Sequence, residues 1–142
     1  MNKQYNFLLL WLICTHGKYF LTYIWWSVTW ASITAQQQTE TVQVSFAANN
    51  SGSGNVYVID GTQKKSITLN VGTTYTFTHS SSHPFRFSTT SDGTHGGGSE
   101  YTSGVSKSSG STVIEVTSST PTTLYYYCSA HLGMGGTATI NN

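Results

Sequence analysis

The chain is 142 residues long, carries 8% charged residues and has a formal net charge of +1. That is well below the roughly 25% charge of an average soluble domain, and it leaves no basic surface to suggest nucleic acid. Ser, Thr and Gly dominate the polar positions, a composition that suits one modest, β-rich domain outside the cytoplasm.

The first 35 residues differ from the rest. Asn2-Lys3 leads into the apolar run Phe7–Cys14, Thr15-His16-Gly17-Lys18 breaks it, and a second apolar run extends from Tyr19 to Ala35. Trp11, Trp25, Trp26 and Trp30, all the tryptophans of the chain, lie in this segment. A basic start, an apolar core and small residues at the end describe a secretory signal. Lys18 interrupts the core, and Ile33 is a poor partner for cleavage after Ala35. An uncleaved membrane anchor is the competing reading, although neither run reaches the ~20 apolar residues of a comfortable span; a misplaced start is a third. Residues 1–35 are expected to be a signal peptide or anchor, and residues 36–142 the folded domain of a periplasmic, secreted or membrane-anchored protein.

Past Gln36 apolar and polar residues alternate. Thr41–Phe46 reads as a strand with Val42, Val44 and Phe46 on one face. Asn49–Gly54 is a loop, Val56–Ile59 a second strand, and Asp60-Gly61 a hairpin signal. Ser66–Val71 and Thr73–Thr78 alternate on either side of Gly72, and Phe85–Ser88 follows. Thr89–Ser111 is Gly, Ser and Thr with few apolar residues, a long surface excursion with room for a short helix or turn. Thr112–Val116, Leu124–Cys128 and Thr137–Ile140 complete a set of about seven or eight short strands, the spacing of an antiparallel sandwich or barrel.

Chemistry concentrates near the carboxy terminus. Cys128-Ser129-Ala130-His131-Leu132-Gly133-Met134 places a thiol, an imidazole and a thioether at Cys-x2-His-x2-Met spacing. Cys14 lies in the leader, so Cys128 would be the one cysteine of the mature domain, and an unpaired thiol in an exported protein needs a reason. Metal coordination supplies one, keeping the thiol deprotonated and away from oxidation. Apart from Met1, the one methionine is Met134, within the same motif. With His83, from Ser82-His83-Pro84-Phe85, the set becomes two imidazoles, a thiolate and a weak thioether, the donors of a trigonal His2Cys copper site with a long axial Met. Zinc gains little from a thioether. Gly133, Gly135 and Gly136 permit the tight backbone such a loop requires. His83 reaches the loop only if its strand neighbours that of Cys128.

The loop resembles that of cupredoxins, particularly the short Cys-x2-His-x2-Met loop of amicyanin-like members, and the likeness runs from Val42 to Ile140. The stretch Gly61–Gly136 is also similar to cupredoxin-like domains in exported and viral proteins of marine microbes. The resemblance implies an all-β Greek-key β-sandwich, one type 1 copper held by His83, Cys128, His131 and Met134, and one-electron transfer outside the cytoplasm. It further implies a monomer with transient redox partners that dock around His131, Leu132 and Gly133. One departure bears on the site. Many cupredoxins follow the first histidine with Asn, whereas Pro84 stands here and has no N–H to offer the Cys128 sulfur.

The remaining candidates read more plainly. His79 closes a strand as a surface or edge residue, and His95 is a loop residue making local hydrogen bonds. Tyr125–Tyr127 alternate between core and surface, with Tyr126 on the face of Cys128. Asn49-Asn50-Ser51 is a glycosylation sequon if the host is eukaryotic. No nucleophile stands at recognisable spacing from a base, so an enzyme is not expected. Two other functions compete with electron transfer: a structural or adhesive surface module with a copper-stabilised or vestigial site, and copper storage or delivery.

Overall fold

Alternation of side chains across a strand buries every second residue where one face is covered, and this rule builds the chain from Gln38 onward. The computed structural model describes residues 10–15, 18–23 and 37–142. The chain divides into two units, Met1–Gln36 and Gln37–Asn142. In the first, β1 (Leu10–Thr15) and β2 (Lys18–Tyr23) pair antiparallel; the rest of the expected signal or anchor lies outside the described residues. No helix among the described residues is long and apolar enough to cross a membrane.

The second unit is an all-β sandwich. Its strands are β3 (Gln38–Ala48), β4 (Asn55–Ile59), β5 (Thr62–Gln63), β6 (Ile67–Asn70), β7 (Thr73–Thr78), β8 (Phe85–Ser88), β9 (Val105–Ser108), β10 (Ser111–Glu115), β11 (Thr123–Cys128) and β12 (Gly136–Asn141). One sheet runs β5-β4-β3-β7-β10-β9 and the other β6-β12-β11-β8. Both are mixed, because β3 pairs parallel with β7 and β6 parallel with β12. Asp60 and Gly61 take φ of 47° and 74°, the left-handed pair that a tight two-residue hairpin requires, and Ile59 faces Thr62 across it.

The core is aromatic. Phe77 stacks on Phe85 at 4.8 Å between ring centroids, and Phe85 on Tyr126 at 5.1 Å. Phe87 meets both Phe77 and Phe85 edge-on. Each such side chain contributes about 1.5–3 kcal/mol when fully buried. The face read from Val42, Val44 and Phe46 changes character along its length. Val44 is buried, but Phe46 is 43% exposed and lies 4.2 Å from the His83 ring. By Phe46 the strand has run beyond the covered core.

The Thr89–Ser111 excursion is more ordered than its composition suggests. It turns at residues 91–97, rejoins the sheet through the Ser88–Glu100 bridge and contributes β9 to the edge of β10. The turn also covers the outer face of β11, where a side chain at Gly93 would collide with the Tyr127 ring. Tyr126, Tyr127 and Cys128 are therefore all buried in succession, and the expected alternation stops at Tyr126.

Phe77 is wholly buried between Phe85 and Phe87. Phe77→Ala is expected to cost about 3–5 kcal/mol, read as a lowered urea midpoint with an unchanged denaturant slope.

Candidate metal centre

β8 and β11 are antiparallel neighbours, with Phe85 opposite Cys128. This register sets the turn ahead of β8, which carries His83 and Pro84, beside the start of the loop that follows β11. Ser129 N–H donates to the Pro84 carbonyl at 3.1 Å and extends the ladder past both strand ends. His83 thereby reaches a sulfur 45 residues away.

Three donor atoms meet there. His83 Nδ1 and His131 Nδ1 are 3.1 Å apart, and Cys128 Sγ lies 3.9 Å from the first and 3.6 Å from the second. Two facing imidazole nitrogens can share a proton, and a hydrogen bond is the plainest account of that one edge. The third corner is sulfur, and the triangle has the size of a metal site. The point equidistant from the three atoms lies about 2.1 Å from each, against about 2.0–2.1 Å for metal–nitrogen and 2.3 Å for metal–sulfur bonds. The cluster could hold a metal ion, and on an all-β frame it resembles a cupredoxin site.

Burial grades across the cluster. Cys128 is fully buried, His83 is 7% exposed and His131 is exposed. Burial, and after it the neighbouring His131, push His83 below the usual imidazole range, which favours the neutral ring a metal needs. Met134 is buried and lines a hollow of about 470 Å³ together with His83, His95 and His131. His79 stays apart: its Nε2 lies 3.2 Å from Thr112 Oγ1 and its Nδ1 3.0 Å from the Ser80 carbonyl.

The turn at 91–97 holds the loop after β11 from outside. Gly133 N–H donates to both oxygens of Asp92, at 3.0 and 2.9 Å. Gly133 has φ of 74°, a conformation that favours glycine. His95 is not a purely local residue, because its Nε2 lies 3.0 Å from the Cys128 carbonyl, 33 residues away. Gly135 is required for a different reason: a side chain there would run into the Tyr126 carbonyl. On the inner side, Tyr57 O–H donates to the His83 carbonyl at 2.9 Å. Asp92 and Tyr57 were not visible as site residues in the sequence. Asp92 stands before Gly93 in a stretch with few other charges, the one feature of the residue order that could have drawn attention to it.

No family model, curated protein or solved structure matches the chain.

Two outcomes follow from this geometry. Asp92→Ala is expected to destabilise the protein by about 1.5–3 kcal/mol, as for other hydrogen bonds to charged groups, and to speed amide exchange at Gly133; Asp92→Asn, which keeps an acceptor, should recover part of the loss. For His83 the folded ring resists a proton that the unfolded ring accepts, so metal-free protein is expected to lose stability as pH falls below about 6.5. His83→Gln should flatten that dependence in denaturation midpoints taken between about pH 5 and 8.

Proposed function

We propose that the domain is an exported, cupredoxin-type copper protein that passes single electrons between partners. The observation that carries this reading is the triangle of His83 Nδ1, Cys128 Sγ and His131 Nδ1, all within 4.8 Å of one another. His83, Cys128 and His131 would be the strong ligands, and Met134, which borders a hollow shared with His83 and His131, the weak thioether donor. Thiolate, imidazole and thioether favour copper over zinc, which gains little from the fourth donor. Copper supplies one-electron redox chemistry.

The chain's own residues supply the rest. The β8–β11 ladder and the Asp92 and His95 contacts hold the donors in one arrangement. Burial of Cys128 keeps water from the sulfur. The exposed imidazole of His131 and the neighbouring Leu132, 75% exposed, present an apolar surface to a redox partner, suited to a brief encounter. The protein acts as a monomer outside the cytoplasm and catalyses no reaction of its own.

Purified protein given Cu(II) is expected to become intensely blue or green from thiolate charge transfer, and Cys128→Ser should abolish the colour. Reversible one-electron voltammetry supports the carrier. Tight Cu(I) binding without reversible cycling would turn the reading to storage or delivery, and a colourless wild type that folds equally well without metal would turn it to a structural or adhesive module.

A further inference from the structure

Tyr57 sits in β4, on the sheet that does not carry the donors, yet it bonds two separate pieces of the site. Its backbone N–H donates to the Met134 carbonyl at 2.9 Å, and its hydroxyl donates to the His83 carbonyl at 2.9 Å. The first bond uses the edge of β4 just where the two-residue β5 stops pairing with it, since β5 covers only Val58 and Ile59. The second crosses the core from one sheet to the other. Tyr57 is 1% exposed, and its ring packs on Phe85 at 5.3 Å and on Tyr126 at 6.3 Å.

A phenylalanine would fill this part of the core as well. A buried hydroxyl costs free energy unless it is hydrogen-bonded, so its presence here calls for a partner, and that partner is the backbone of a donor residue. Two donor segments, the His83 turn and the Met134 loop, are otherwise separated by 51 residues of chain (134 − 83). The ladder between β8 and β11 fixes His83 against Cys128, but it does not reach Met134. Tyr57 is the residue that bonds to both.

We propose that Tyr57 is a positioning residue of the metal centre, a strut from the opposite sheet whose hydroxyl sets His83 relative to Met134. This rests on the copper reading for its functional meaning. The strut does not donate to the metal. It holds the backbone that aims one imidazole and the backbone that carries the thioether, so it governs how far the site relaxes between oxidation states.

The test compares Tyr57→Phe with Tyr75→Phe. Tyr75 is 2% exposed in the same core, and its hydroxyl accepts from the Asn70 N–H at 3.0 Å, a contact that touches no donor segment. Both variants lose one tyrosine hydrogen bond, so both are expected to melt somewhat below the wild type. Tyr57→Phe alone is expected to weaken Cu(II) binding by about 10- to 100-fold, as for other outer partners of metal ligands, and to shift the charge-transfer band and the reduction potential. In metal-free protein, Tyr57→Phe alone is expected to broaden the His83 imidazole resonances in NMR spectra. Equal spectra, potentials and His83 resonances in the two variants would overturn the strut. A wild type that takes up no Cu(II) would instead overturn the copper reading, and the metal-free resonances would still decide whether Tyr57 positions His83.

Discussion

Pairing of β8 with β11 is the constraint on which the site depends. Phe85 lies opposite Cys128, and the side-chain period of a strand is two residues, so a slip by one would send the sulfur to the other face. The register is held by burial on the inner face, where Phe85, Phe87 and Tyr126 pack together. The same aromatic cluster that stabilises the sandwich therefore aligns the donors. Core stability and site geometry are one requirement here.

Around that register the donors are held from both sides. The turn at 91–97 bonds the loop after β11 at Gly133 and at the Cys128 carbonyl, while Tyr57 bonds the His83 and Met134 carbonyls from within. Thr112, fully buried, donates to the Phe85 carbonyl at 2.7 Å and steadies the start of β8. Among the described residues no buried side-chain nitrogen or oxygen lacks a partner. Supporting shells of this kind decide whether a site is held firmly enough to function. Pro84 fits the same scheme: it offers no N–H, but its carbonyl takes the Ser129 N–H.

Strands with regular alternation were legible from the residues alone. Val56–Ile59, Thr73–Thr78 and Phe85–Ser88 lie where the pattern put them, and the Asp60-Gly61 hairpin has the expected left-handed backbone. β9 was not legible, because Val105-Ser106-Lys107-Ser108 has a single apolar residue and gains its order from pairing with β10. Phe46 kept its place on the strand face but lost its place in the core, since the face continues past the opposing sheet onto His83. The roles of Asp92, His95 and Tyr57 were hidden for a common reason: each acts on a backbone N–H or carbonyl, and backbone partners leave no mark in the residue order.

The residue order by itself determined the donor chemistry, the spacing of Cys128, His131 and Met134 within one loop, and the β character of the domain. These follow from side-chain type and from local periodicity, which need no knowledge of the fold. Tertiary structure alone decided that His83, the histidine the residue order favoured, comes within reach of Cys128 and His131, and that a glycine-rich turn and a tyrosine of the opposite sheet enclose them. Those outcomes depend on which strands become neighbours, and that choice is made by burial of the whole core, not by any segment of it.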